Sequence, residues 1–287
     1  MSGPGLPAPD TAAPQMPQAG PAGPIFDSHA HYTSRRFDAD RDALLAGLPG
    51  LGVVGVIECG THLDTSLAAV ELARRYPFVW AAVGIHPESL IEEDAATCAR
   101  FGGDWAAELA AMRPLYEDER VAAIGECGLD YHWPVPKEAQ LALFEAQLRL
   151  ALELDKPIIV HDREAHADTY ALLRRYKPRG VLHCYSGSAE DALWLAKQGM
   201  YIGFGGAATF KGAKRAVQAA AALPAEAILL ETDCPYMAPE PYRGQRCHSG
   251  MIARTAEVLA GVRGQTPAEL LRTADQNAQR LFRLPGG

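Results

Sequence analysis

No two cysteines in this chain are spaced CxxC, no apolar run approaches the ~20 residues needed to cross a bilayer, and basic residues are not in excess. Each absence removes a class of protein. The six cysteines (Cys59, Cys98, Cys127, Cys184, Cys234, Cys247) stand singly, which argues against a thiolate zinc site and reads as buried free thiols in a reducing compartment. Three of them directly follow Glu126, His183 and Asp233, so on strands they are expected to point away from those residues into packing. With 27 Lys and Arg against 35 Asp and Glu, the net charge of −8 excludes a broad basic surface for gripping nucleic acid. A G-x-S-x-G elbow, and with it that kind of serine nucleophile, is missing. The first residues, MSGPGLPAPDTAAPQMPQAGPAGP, lack the positive start and apolar centre of a signal peptide. Their Pro, Gly and Ala content predicts a disordered tail over residues 1–24 ahead of a folded domain over 25–287, with no membrane partner and a cytoplasmic location.

What is present is a regular alternation. Short β-branched-rich runs at 25–29, 53–59, 78–84, 121–126, 157–161, 180–184, 200–204 and 227–233 are separated by longer amphipathic stretches. The stretch 138–154, EAQLALFEAQLRLALEL, has the 3.6-residue spacing of a helix and is followed by a Lys-Pro break. Near-continuous apolar strands alternating with helices predict a parallel sheet covered by helices. Eight such units predict an α/β fold of the (β/α)8 TIM-barrel type, one domain without an internal repeat.

In that fold functional residues gather at the C-terminal ends of the strands. The runs end in His29 and His31, His86, Glu126, His161, His183 and Asp233: seven metal-competent side chains from six strands at one end of one barrel. His29 and His31 alternate on a strand, so both imidazoles face one space. Glu126 and Asp233 close apolar runs, where an ionised carboxylate is costly unless cations surround it. Imidazoles with carboxylates suit Zn²⁺, Mn²⁺ or Mg²⁺. Six or seven ligands exceed what one ion uses, so two divalent ions are expected, with Glu126, midway round the barrel, as the bridge. Arg163, Arg243 and Arg246 lie close to these strand ends and suit an anionic substrate such as a phosphate. His62, His132, His166 and His248 are read as structural or surface residues, His62 and His166 as helix openers.

The strings DSHAH, VGIHPE, AIGECGLDY, KPIIVHDREA, LHCYSGS and LLETDCPY, in this order and spacing, resemble the TatD family of metal-dependent deoxyribonucleases, a branch of the amidohydrolase-like TIM barrels. The resemblance runs from Phe26 to Phe282. It implies that His29, His31, Glu126 and Asp233 hold one metal and that Glu126, His161 and His183 hold the second. It makes His86 a phosphate-facing residue and Asp233 the group that orients and deprotonates the attacking water. The implied chemistry is phosphodiester hydrolysis of single-stranded DNA, often 3′→5′ and supported by Mg²⁺. The alternative within such a site is a deacylase or amidohydrolase, including D-aminoacyl-tRNA deacylation; a scaffold on an inherited barrel would have no reason to keep every ligand. Two departures stand out. The family's RGxRNEP loop reads Arg243-Gly244-Gln245-Arg246-Cys247-His248-Ser249 here, and Ala167 replaces a customary acid beside Asp168.

Because no candidate ligand lies within residues 1–24, a chain beginning at Pro24 is expected to match the full chain in thermal midpoint and metal-dependent activity. A clear drop in either would show that the segment packs or contributes to the site.

Overall fold

The eight apolar runs form eight parallel strands in the computed structural model, which describes residues 23–284. They are β1 (Ile25–Ala30), β2 (Val53–Cys59), β3 (Val79–Val83), β4 (Val121–Asp130), β5 (Ile158–Arg163), β6 (Gly180–Leu182), β7 (Met200–Phe204) and β8 (Ile228–Leu230). The helices between and after them are α1 (Arg41–Gly47), α2 (Leu63–Arg75), α3 (Ala96–Ala99), α4 (Trp105–Met112) and α5 (Lys137–Glu153). Then come α6 (His166–Tyr176), α7 (Ala189–Lys197), α8 (Lys214–Ala222), α9 (Ile252–Arg263) and α10 (Pro267–Phe282). The strands pair in chain order from β1 to β8. The ring closes through a parallel bridge between Ala30 and Cys234, with the His31 N–H donating to the Cys234 carbonyl at 2.9 Å and the Asp233 N–H to that of His29 at 2.9 Å. This is the (β/α)8 barrel, a single domain.

The expectation of a disordered tail falls mostly on residues 1–22, which lie outside the described residues; Gly23 and Pro24 are half-buried, Gly23 against Ala268 and Leu271 of α10. Among the described residues no helix is long and apolar enough to cross a membrane.

The strand bounds depart from the apolar runs where the chain turns toward the barrel mouth. β4 extends to Asp130 because Gly128, Leu129 and Asp130 pair with His161, Asp162 and Arg163 of β5. Only glycine fits at 128: its φ is 146°, and a Cβ there would lie 2.0 Å from the His161 carbonyl oxygen. β6 and β8 stop early, at Leu182 and Leu230, so His183 and Asp233 leave the ladder and lean over the mouth. Asp233 does so in the left-handed region, φ 59°, which Asp tolerates better than most residues.

Side chains from seven strands, among them Phe26, Ile57, Ala123, Ile159, Val181 and Leu229, pack together inside the barrel, with Leu281 and Phe282 of α10 against them. Ile159 and Val181 sit two residues before His161 and His183, so the apolar filling and the polar mouth use the same inward face. A larger core lies between sheet and helices.

Helix α5 does more than cover the sheet. Its buried face carries Gln140 and Gln147, seven residues apart and so on one side of the helix. Gln147 accepts from the Ile85 N–H at 2.9 Å and donates to the Ile85 carbonyl at 2.9 Å, fixing the residue before His86. Gln140 clamps both backbone groups of Asp130 in the same way, at 2.7 and 2.8 Å. Gln147→Leu keeps the bulk but orphans two buried backbone groups, each worth about 1–3 kcal/mol, so urea unfolding should report a loss of about 3 kcal/mol. An unchanged midpoint would mean that the β3 loop is held by other contacts.

Candidate metal centre

Glu126 lies at the middle of the mouth with one oxygen turned to each of two histidine groups. Its Oε2 is 3.4 Å from His29 Nε2 and 3.3 Å from His31 Nε2. Its Oε1 is 2.8 Å from His183 Nε2, 3.0 Å from His161 Nδ1 and 3.6 Å from His86 Nε2. Asp233 Oδ1 completes the first group, 3.4 Å from His31 Nε2 and 3.8 Å from His29 Nε2. All seven residues singled out in the sequence therefore meet in one place. Three overlapping triads offer ligand atoms within 4.8 Å of one another: His29, His31, Asp233; His29, Glu126, His183; and His86, Glu126, His161.

This donor set fits cations. His29 Nε2 and His31 Nε2 face each other at 3.0 Å, and no Lys or Arg pairs with Glu126 or Asp233 among the described residues. Burial alone would push Glu126 up, but His29, His86 and His183 outweigh it and hold its carboxyl well below the usual carboxylate range. Asp233 is likewise lowered, because His31 and His29 overcome its burial. In turn the carboxylates overcome burial at three histidines, raising His31 well above its ordinary value, His161 to about 9 and His183 to about 10. Any bound metal ion must displace those protons, so affinity should fall as pH falls.

In three of the rings the outer nitrogen shows which atom faces the mouth. His31 Nδ1 lies 2.9 Å from the Cys59 carbonyl and therefore carries its proton there, leaving Nε2 free as a donor of electrons. His161 Nε2 lies 2.9 Å from Asp130 Oδ2, so Nδ1 is the free atom. His86 is the reverse case. Its Nδ1 accepts from the Glu88 N–H at 3.2 Å, which places the proton on Nε2, and burial lowers its pKa to about 3. His86 thus presents an N–H to the mouth, as a phosphate-facing residue would, rather than a ligand lone pair.

Sequence reasoning assigned no role to the buried acids behind these rings. Asp27 accepts from the N–H groups of His29 and Thr232 (3.2 and 3.0 Å) and from the hydroxyls of Thr232 and Ser249 (2.6 and 2.7 Å). It joins β1 to the segment carrying Asp233, and burial pushes it up to about 7 despite these bonds. Glu58 holds the turn after His31 by accepting from the N–H groups of Tyr32 and Thr33, both at 2.8 Å. Glu231 accepts from the Cys184 N–H at 2.5 Å and lies 3.7 Å from His183 Nδ1. The available signal was an acid inside an apolar run, as in VVGVIEC and AILLETD.

The mouth opens into a cleft of about 1320 Å³ lined by His31, His86, Glu126, His161, His183 and Asp233 together with Arg163 and Arg243, with His29 buried beneath it. Arg246 is not brought there. It forms a two-point pair with Asp40 at 2.7 and 2.5 Å and covers Phe37, pinning its loop to the segment after β1. Cys184 also departs from expectation, for it lines the cleft, whereas Cys127 and Cys234 are buried; all six cysteines are free. His248 is buried and Ser249 braces Asp27 and Tyr32, so the altered loop works behind β1. His62 stands at the start of α2, His166 opens α6 beside Asp162 at 2.6 Å, and His132 pairs with Glu164 at 3.1 Å near the surface.

Comparison with known proteins agrees with the site. The model of the family described as TatD related DNase matches residues 26–283. An uncharacterized metal-dependent hydrolase of Bacillus subtilis, YabD, is 36% identical over 267 residues, spanning 91% of this chain and 99% of that protein. A protein of Cronobacter sakazakii named 3′-5′ ssDNA/RNA exonuclease TatD is 38% identical over 272 residues, 90% of this chain and 97% of its own length. The crystal structure of YjjV, a TatD homologue of Escherichia coli K12, superposes with a TM-score of 0.81 at 30% identity, covering 91% of this chain and 98% of that one. With the barrel, the histidine–carboxylate mouth and matches of this extent, the chain belongs to the TatD-related DNase family of metal-dependent hydrolases.

Proposed function

We propose that this enzyme hydrolyses phosphodiester bonds of single-stranded nucleic acid, with DNA as the first choice, removing nucleotides from the 3′ end. The observation that carries the reading is the placement of Glu126, whose two oxygens each face a separate group of imidazoles. His29, His31, Asp233 and Glu126 Oε2 would hold one divalent ion; Glu126 Oε1, His161 and His183 would hold the other. Mg²⁺, Mn²⁺ or Zn²⁺ bound there would supply Lewis-acid polarisation of a phosphoryl oxygen and acidify an attacking water. Asp233, whose Oδ1 lies 3.4 Å from His31 and 3.8 Å from His29, takes the proton of that water. His86 offers its Nε2–H to a non-bridging phosphoryl oxygen, and Arg163 and Arg243 hold the phosphate backbone from the cleft wall. The name of the Cronobacter relative supports the same substrate class. A cytoplasmic setting belongs to this reading and is supported by six unpaired cysteines.

Glu126→Gln is nearly isosteric but removes the shared charge. The variant should remain folded by circular dichroism and retain at least one ion fewer per chain by elemental analysis. Full metal occupancy together with unaltered turnover would remove Glu126 from the mechanism.

Asp233→Asn should lower kcat by about 10²- to 10⁴-fold, the range of general-base catalysis, with a much smaller change in KM because His86 and the arginines remain. The reaction is followed on 3′- and 5′-labelled single-stranded DNA, which the wild type should shorten stepwise from the 3′ end until EDTA is added. DNA surviving with each of the three metals, while D-aminoacyl-tRNA loses its amino acid, would replace this reading with the deacylase.

A further inference from the structure

Two aromatic rings at the mouth stand outside both hydrophobic clusters. Trp133 is 44% exposed and Tyr236 is 51% exposed, and both line the cleft. Neither the Trp133 indole N–H nor the Tyr236 hydroxyl bonds to another side chain among the described residues; Trp133 and His132 stand perpendicular with ring centroids 5.2 Å apart, and Arg36 lies over one face of Tyr236 at 5.6 Å. Ring faces left in water forgo the stabilisation that burial gives, and a flat ligand that covers them would recover it.

Their placement is paired. Trp133 lies three residues past Asp130, the acid on His161, and Tyr236 lies three residues past Asp233, the acid on His31. They follow β4 and β8, which are four strands apart in an eight-stranded ring and therefore face each other across the mouth. The two loops stand on opposite sides of the ring of strands, and both aromatic residues line the cleft that holds Glu126. The cleft wall from β5 to β8, which joins the two loops, carries Arg163, Lys214, Arg215 and Arg243 along with Asp162, which His166 engages at 2.6 Å, whereas the wall after β3 carries Glu88 and Glu92. An anionic backbone is drawn along the first wall and repelled from the second. A backbone laid on that wall would run between the two rings, with the cluster at its midpoint.

We propose that Trp133 and Tyr236 are stacking platforms for the two unpaired bases that flank the phosphodiester being cut. Every base has a π face, so this grip is indifferent to sequence, and it is denied to a duplex whose bases are already stacked and paired. The inference rests on the phosphodiesterase reading and adds the requirement for two free bases.

The test uses oligo-dT with one abasic residue placed on the 3′ or on the 5′ side of the first phosphate cut, against Trp133→Leu, Trp133→Phe, Tyr236→Leu and Tyr236→Phe. Each Leu variant should raise KM by about 5- to 150-fold, the range of one base–aromatic stack, with kcat little changed, and each Phe variant should recover most of it. Removing the base that a ring supports should erase the difference between that ring's Leu variant and wild type, while the other abasic position leaves it intact. Binding of the same oligonucleotides without added metal, read by fluorescence polarisation, should follow the same pattern. Leu variants equal to their Phe counterparts, or penalties that simply multiply at both positions, would overturn the platforms while the phosphodiesterase stands. A wild type that cuts no oligonucleotide with any metal would sink both.

Discussion

The site depends on one carboxylate held ionised where no isolated carboxylate could remain so. Glu126 is buried at the barrel mouth, and five imidazoles surround it, none contributed by its own strand. In a low-dielectric interior that arrangement is mutual: removing the carboxylate would leave several rings without a counter-charge, and removing the rings would strand the carboxylate. The barrel supplies what the cluster needs, because converging parallel strands bring side chains from the ends of β1, β3, β5 and β6 within about 4 Å of one carboxylate on β4.

Behind the cluster is a second set of interactions that converts approximate convergence into defined orientation. Asp130 and the Cys59 carbonyl fix which nitrogen of His161 and of His31 looks into the mouth. Asp27 ties the His29 backbone to that of Thr232 across the seam where the barrel closes, so the ends of the first and last strands present His29, His31 and Asp233 together. Gln140 and Gln147 do the corresponding work from α5, gripping the backbone of Asp130 and Ile85. A small displacement in any of these propagates to a reacting geometry, which is why such outer residues matter to hydrolases of this kind.

Charge around the mouth is uneven in a way the net value of −8 conceals. Cations on the β5–β8 side face acids after β3, so a protein with an acidic surface still offers an anionic substrate one favourable wall. Arg246 marks the boundary of that wall. It sits in the same loop as Arg243, yet Asp40 claims it, and its guanidinium holds the loop instead of facing the cleft. Cys184 shows the complementary case, entering the cleft lining because β6 ends at Leu182 and the chain turns with φ 47° at position 184.

The sequence by itself determined the barrel and the inner ring of the site. Parallel strands buried on both faces must be written as apolar runs, so DSHAH, GIHPE and the rest announce themselves by placing His or an acid where such a run ends. That pattern is local, and local patterns survive in one dimension. What only the tertiary structure decided are relations between segments far apart in the chain. The split of Glu126's two oxygens between separate histidine groups is one. The tautomer-setting contacts of Asp130 and Cys59 are another, and the capture of Arg246 by Asp40 across 206 positions is a third. The facing of Trp133 and Tyr236 belongs with them, since it exists only once β4 and β8 stand on opposite sides of a closed ring. Side-chain identity reveals which groups can bind or stack; distance and direction between them come from the packing of the whole barrel.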